Sequence, residues 1–331
     1  MVSAVVSYGL GDERLNEDVA AGLANVEQRL AQAVKSDDDF IASAARHLVD
    51  AGGKRFRPLL AVLAAQLGDP AAPGVTDAAV VVELTHLATL YHDDVMDEAP
   101  RRRGTESANA RWGNTVAILT GDFLFARASD MLADLGPAAV RIQARTFERL
   151  VTGQIHETVG PRPGEDPVEH HLHVLADKTG SLIATSGQFG AMFAGCDDAT
   201  IDIMTRYGER IGVAFQLADD LVDVASDGDE SGKTQGTDLR EGIQTLPALL
   251  AMRSQDPADA RLQELLSRPL PDDGEHAEAL ELLQAHAALA EARDVARSWA
   301  DDARQSVAGL APGSVRTALE SLCDYVVTRT G

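Results

Sequence analysis

The sequence predicts an all-α protein, and three observations carry that prediction. Apolar residues recur at spacings of three and four along the 331-residue chain, which places them on one face of a helix. Aromatic residues make up only 4% of the chain and Ala and Leu are plentiful, a balance that favours helix over strand. Glycine and proline clusters fall between the long periodic segments.

In order, the periodic segments predict helices over residues 12–35, 37–51, 56–68 and 75–98. Ser36, before Asp37-Asp38-Asp39, marks a helix start, and Gly52-Gly53 a stop, because glycine readily takes the left-handed cap conformation. Lys54 to Pro58 therefore opens a new element. Residues 99–107, polar and glycine-bearing, read as a loop before helices over 115–135, 137–159, 167–195 and 198–226. A second such segment, 227–242, precedes helices over 243–254, 257–268, 274–308 and 313–329. Both loops directly follow an aspartate-rich pentad, which makes them natural lids. No short repeat and no linker divides the chain, so a single domain over residues 1–331 is expected.

A net charge of −23 argues against nonspecific nucleic-acid binding and against electrostatic attachment to anionic lipid, both of which need a basic surface. Cys196 and Cys323 are too few and too distant for a disulfide framework or a cysteine metal cluster. The first residues lack the basic and apolar regions of a signal peptide, and no uncharged stretch is long enough to span a bilayer. A cytoplasmic protein is expected, with membrane contact at most peripheral.

The chemistry concentrates in two pentads, Asp93-Asp94-Val95-Met96-Asp97 and Asp219-Asp220-Leu221-Val222-Asp223. Residues four apart share a helix face, so each pentad aims two carboxylates at one point, where they repel unless a cation joins them. Mg2+ takes one or two carboxylates and completes its shell with water and phosphate oxygens, so the pentads suggest a metal-diphosphate site. Arg101-Arg102-Arg103 follows the first pentad, and guanidinium forks suit the remaining oxygens of a diphosphate. Of only four lysines, Lys54, Lys178 and Lys233 stand in polar, glycine-punctuated surroundings. Ligand contacts and simple placement at helix ends both explain them.

With these residues in hand, the chain resembles the trans-polyprenyl diphosphate synthases. The matching segments are GGKRxRP (52–58), HxxxxxHDDxxD (86–97), RRG (102–104), GNxxAxLxGD (113–122), KT (178–179), FQxxDDxxD (215–223), GKxxGxDLxEG (232–242) and TLP (245–247). The resemblance implies an isoprenoid-synthase-type helical bundle around a deep central cavity, and a homodimer. It also implies Mg2+ as cofactor, with three ions once substrate is bound, held by Asp93, Asp97 and Asp219 and supported by Asp94, Asp220 and Asp223. Arg102, Lys178 and Lys233 would grip the allylic diphosphate, and Lys54, Arg57, His86 and Arg103 the metal-free isopentenyl diphosphate. Thr179 and Gln216 match positions whose oxygens face the carbocation. One departure stands out: Glu241-Gly242 is followed by Ile243, where the family often has lysine.

Ala88 and Thr89 lie five and four residues before Asp93. At about 1.5 Å rise per residue they sit roughly 6 to 8 Å deeper than the metal ligand, and their small size, by the same resemblance, implies a product of about six to ten isoprene units. Farnesyl and geranylgeranyl diphosphate synthesis stay open as alternatives, because Leu84, Phe123 or Phe125 could floor the tunnel or simply pack the core. Two competing classes are disfavoured by the motifs: a terpene cyclase lacks an isopentenyl pocket, and a non-catalytic synthase subunit lacks the aspartate pentads.

Overall fold

A computed structural model of the protein describes residues 11–225 and 235–328. Helices run over Glu13–Ala33, Asp39–Asp50, Phe56–Ala65, Val75–Met96, Ala108–Trp112, Asn114–Leu135, Pro137–Val159, Pro167–Leu175, Ser181–Phe193 and Asp198–Ala225. They continue over Thr237–Glu241, Leu246–Met252, Ala260–Leu266, Asp273–Ala285, Ala287–Ser306 and Ser314–Thr328. Among the described residues, strand is confined to the antiparallel pair Arg101–Arg102 and Thr105–Glu106. No described helix is long and apolar enough to cross a membrane.

The all-α expectation holds, and the departures from the expected boundaries have local causes. The second helix starts two residues late: Asp38, not Ser36, is the cap, accepting from the N–H groups of Phe40 and Ile41 at 2.9 and 3.0 Å. Ser36 Oγ instead accepts from Asp38 N–H at 3.2 Å. The expected helix 274–308 breaks at His286, whose backbone is extended. Its ring replaces the usual cap side chain, with Nδ1 accepting from Ala288 N–H at 3.0 Å while Nε2 lies 3.1 Å from Asp259. The segment expected to be helical over 167–195 carries a π-helical turn at Ala176–Gly180. The loop 99–107 holds the two-stranded ribbon.

The described residues divide into two compact units, the first comprising residues 11–148, 182–208 and 308–319, the second 149–181, 209–225, 235–307 and 320–328. Within the first, Val75–Met96 packs against Glu13–Ala33, Phe56–Ala65 and Asn114–Leu135. Val80, Val81, Val82, Leu84 and Leu87 are all fully buried, as expected of a helix surrounded by others. Tyr91, near its C-terminal end, is also fully buried. Its hydroxyl donates to Ala44 O at 2.6 Å and accepts from Leu48 N–H at 3.2 Å, so it fastens this helix to Asp39–Asp50. Burial pushes its phenol up well above the ordinary range.

The second unit packs around Leu217, Leu221, Leu249, Leu250, Leu265 and Leu289, with Trp299 at its margin. Val213, Leu217, Leu221 and Val224 recur at helical spacing on the side of Asp198–Ala225 that faces this core. That spacing leaves Gln216, Asp219 and Asp223 off the apolar face.

Replacing Tyr91 by Phe keeps the ring and deletes both hydrogen bonds, leaving a buried carbonyl and N–H to the helix alone. A loss of about 1 to 3 kcal/mol is expected, read as a lower thermal midpoint by circular dichroism; an unchanged midpoint would show that the hydroxyl contributes nothing.

Candidate active site

In the first unit, Asp93 and Asp94 occupy the last turn of Val75–Met96 and Asp97 caps it, its N–H bonded to Asp93 O at 2.8 Å. A helix C-terminus is already the negative end of the macrodipole, so three carboxylates there need cations. Arg102 supplies one. Its Nε donates to Asp94 Oδ1 at 2.5 Å and its Nη2 lies 3.8 Å from Asp97 Oδ2. Asp94 is fully buried and its Oδ2 has no hydrogen-bond partner. Burial pushes its carboxyl pKa up, and Arg102 partly restores it. Asp93 is half-buried and Asp97 exposed.

The ribbon sets the arginines. Arg102 pairs with Thr105 and Arg101 with Glu106, leaving Arg103-Gly104 as a two-residue turn with φ of 51° and 77°. Two consecutive positive φ values characterise the hairpin turn whose twist matches its strands. Arg102 goes to the pentad, whereas Arg103 reaches Leu48 O at 3.0 Å, Gly52 O, and Glu83 Oε1 at 3.8 Å. Gly53 lies directly against it: at φ 136°, a Cβ there would come within 2.8 Å of the Arg103 guanidinium carbon. Gly52-Gly53 thus ends a helix, as its sequence suggests, and also cradles an arginine.

Around Glu83, which is 1% exposed, the structure gathers a basic cluster. Arg55 donates from Nη1 to Glu83 Oε1 at 2.8 Å and from Nε to Glu27 Oε1 at 2.5 Å, and it also bonds Gly52 O and Val49 O. Arg57 has its Nε closed off from solvent with no hydrogen-bond partner. Burial lowers its pKa to about 10, with Arg103 pushing the same way and Glu83 and Asp93 opposing. Burial, and then Arg57 and Arg103, hold His86 well below the ordinary histidine range, so its imidazole is neutral. Lys54 stands exposed beside the cluster in sequence. Arg55, Glu83 and Glu27 escaped the sequence reading. The signal for Glu83 was a lone acid inside the apolar run Val80–Leu84.

Further up the same helix, Ala88 is fully buried and Thr89 half-buried, its hydroxyl donating to His86 O at 2.8 Å. Leu84 is fully buried. Phe125 packs against Phe147 and His92 at 4.5 and 5.8 Å between ring centres, and Phe123 lies under the Arg127 guanidinium at 5.0 Å.

In the second unit, the π-helical turn carries Lys178 and Thr179, a distortion that often marks a functional position within a helix. Gly153 admits the turn's backbone, since a Cβ there would lie 2.6 Å from Lys178 N. Arg149 braces it, bonding Asp177 and Glu209 at 2.9 Å each. Lys178 Nζ bonds Glu157 Oε2 at 2.5 Å. Thr179 Oγ1 donates to Gln216 Oε1 at 3.5 Å, and Gln216 Nε2 donates to Asp220 Oδ1 at 3.1 Å. Asp223 accepts from the N–H groups of Thr237 and Asp238 at 3.3 and 3.2 Å, tying the pentad to the start of Thr237–Glu241. Asp219 is half-buried. Lys233 lies outside the described residues. Ile243, in place of the family's lysine, is exposed.

Among the described residues, no three His, Cys, Asp or Glu side chains converge closely enough to hold a metal by themselves. That donor set fits a hard ion completed by phosphate oxygens and water, which needs only one or two carboxylates from any one place. The unpartnered Asp94 Oδ2, beside Asp93, agrees with it.

Comparison with known proteins matches residues 38–283 to the family model described as polyprenyl synthetase. The chain is 50% identical over 330 residues to the nonaprenyl diphosphate synthase of Mycobacterium tuberculosis, covering 99% of this chain and 98% of that protein. It is 41% identical over 325 residues to the dimethylallyltranstransferase of the same organism, covering 98% and 99%. Among solved structures, the geranylgeranyl pyrophosphate synthase of Corynebacterium glutamicum, complexed with calcium and isoprenyl diphosphate, superposes with a TM-score of 0.87 at 44% identity, covering 97% and 99%. On the strength of its motifs, its helical fold and these matches, the chain belongs to the polyprenyl synthetase family of prenyltransferases.

Proposed function

We propose that the protein condenses isopentenyl diphosphate head-to-tail onto an allylic diphosphate, with Mg2+, to make an all-trans polyprenyl diphosphate of medium to long chain. The observation that supports this reading is that the first unit holds two arginine-bearing groupings of different construction. The pentad with Arg102 suits a diphosphate accompanied by metal. The cluster of Arg57, Arg103 and neutral His86 on Glu83, with Lys54 nearby, suits a second diphosphate without metal. A condensing enzyme needs both; a cyclase needs only the first.

In this reading Asp93, Asp97 and Asp219 are the metal ligands, and Asp94, Asp220 and Asp223 support them. Bound Mg2+ supplies positive charge to a departing diphosphate. Arg102 would present its remaining donors to an anion at the first pentad, Lys178 would exchange its bond to Glu157 for a phosphate oxygen, and Lys233, outside the described residues, would contribute by the family resemblance alone. His86, held below the ordinary histidine range by burial and the neighbouring arginines, would offer the second diphosphate a ring N–H beside them. Thr179 and Gln216 direct oxygens at the cation left behind, a fixed-dipole stabilisation that needs no reorganisation during reaction. The isopentenyl double bond is the nucleophile that forms the new carbon–carbon bond, and the released diphosphate accepts the proton then lost from the condensed cation, so neither a side-chain nucleophile nor a side-chain base is needed.

The 50% identity to a nonaprenyl diphosphate synthase and the small Ala88-Thr89 pair both support a long product. The chain would act as one polyprenyl synthase domain, since the family match runs through residues of both units. A homodimer is supported by exposed apolar residues on Asn114–Leu135, with Leu119 60% and Ile118 42% exposed.

Incubation with labelled isopentenyl diphosphate, farnesyl diphosphate and Mg2+, followed by chromatography of the dephosphorylated products, tests activity and length together. Chains beyond twenty carbons are expected, and a product stopping at geranylgeranyl would reverse the length assignment. In the same assay Asp93→Ala or Asp219→Ala should cut turnover by on the order of 1,000-fold or more, and near wild-type rates would reject the metal assignment. Ala88→Phe should shorten the product, as an aromatic ring roughly 7 to 8 Å deeper than the metal ligand would block the growing chain. Glu83→Gln preserves shape but removes the charge that balances three arginines. It should raise the isopentenyl diphosphate KM at least about tenfold and lower the thermal midpoint, since a broken buried ion pair costs roughly 3 to 5 kcal/mol.

A further inference from the structure

His171 belongs to no motif of the sequence, yet the structure sets it against the second pentad. It sits on Pro167–Leu175, and its Nε2 is closed off from solvent with no hydrogen-bond partner. A buried ring nitrogen in that condition is unfavourable, so an acceptor for its proton is the first thing to look for. Asp220 Oδ2 is 3.6 Å away. That is longer than a hydrogen bond but too short to admit a water between the two atoms, and a small rotation of either side chain closes it. The other oxygen of Asp220 is already engaged, accepting from Gln216 Nε2 at 3.1 Å.

The consequence lies in the Gln216 amide. With its nitrogen on Asp220, its Oε1 points to Thr179, whose hydroxyl donates to it at 3.5 Å. A carboxylate accepts and never donates, so Asp220 decides which end of the amide faces which neighbour. If Asp220 rotates, the amide is free to flip and present its NH2 edge, positive where an oxygen is needed. We propose that His171 is a positioning residue: its Nε2–H holds Asp220 Oδ2, so that Asp220 Oδ1 keeps the Gln216 oxygen, and through it the Thr179 lone pairs, turned to the reacting cation. The inference rests on the function proposed above and extends it to a residue that touches no substrate.

The test compares His171→Phe, which fills the space without a donor, with His171→Gln, whose Nε2 can occupy nearly the same place. Full-length proteins are assayed with farnesyl diphosphate, isopentenyl diphosphate and Mg2+. The Phe variant should lose about 10- to 100-fold in kcat, the range typical when a hydrogen-bond partner that orients a metal-site side chain is removed. Its isopentenyl diphosphate KM and its half-saturating Mg2+ concentration should stay within about threefold. The Gln variant should recover most of the rate. Wild-type kcat in the Phe variant, failure of Gln to rescue, or a shift confined to the Mg2+ dependence would each overturn the proposal. Should the Phe variant fail to fold by circular dichroism, His171→Asn, whose donor is too short to reach, takes its place with the same expectations. An inactive wild type would remove the parent reading and this inference together, whereas an active wild type with indifferent variants removes this one alone.

Discussion

Glu83 is the carboxylate on which the first unit's chemistry depends. Two like charges 4 Å apart repel by about 4 kcal/mol at the effective dielectric of a protein surface, and the unit assembles Arg55, Arg57 and Arg103 in partly buried positions. A single buried acid within a helix offsets that repulsion from the inside. Arg55 takes the opposite part. Bonded to Glu27, Glu83, Gly52 and Val49, it has its donors committed and acts as a strut. Its left-handed backbone, at φ 49°, is a conformation non-glycine residues seldom adopt, and the surrounding bonds hold it there.

The ribbon converts adjacent residues into separate functions. Arg102 lies on a strand and Arg103 in the turn, so one serves the pentad and the other the Glu83 cluster, although a peptide bond joins them. A flexible loop of the same composition would leave each arginine to choose between Asp94 and Glu83. Fixing the turn removes that choice, and Gly53 completes the arrangement by leaving room for the guanidinium.

Much of this was legible in the sequence, and the exceptions share a cause. The pentads could be read because i and i+4 identity survives without tertiary information. Gly52-Gly53 could be read because helix stops have their own residue chemistry, and 99–107 only as a polar loop, its hairpin turn at Arg103-Gly104 being set by the strand pairing around it. Arg55 could not be told from Lys54 or Arg57, since only packing separates an arginine with every donor engaged from one with an unpartnered Nε. The break at His286 has no glycine or proline to announce it, for its cap is a ring held by Asp259 from a distant segment. The π-helical turn at Lys178 likewise answers to Gly153 and Arg149, far away in the chain. Local rules found local features, and contacts between remote segments decided the rest.

Those remote contacts leave three polar atoms unsatisfied on the residues argued to matter: Asp94 Oδ2, Arg57 Nε and His171 Nε2. A buried polar group without a partner costs about 1 to 3 kcal/mol, and a fold selected for stability alone would pair or remove it. Each of the three sits beside charged groups: Asp94 is bonded to Arg102 through its other oxygen, Arg57 feels the charges of Glu83 and Arg103, and His171 faces Asp220. The cost is therefore borne by scaffolds that do not collapse onto the vacant valence. Under the proposed function, charge brought in by a metal ion or a diphosphate would meet Asp94 and Arg57 already oriented, while His171 stands behind Asp220, so less binding energy would go into reorganising the protein and more would remain for stabilising the separated ion pair. In that proposal the unsatisfied valences of the resting fold serve the site at the expense of stability.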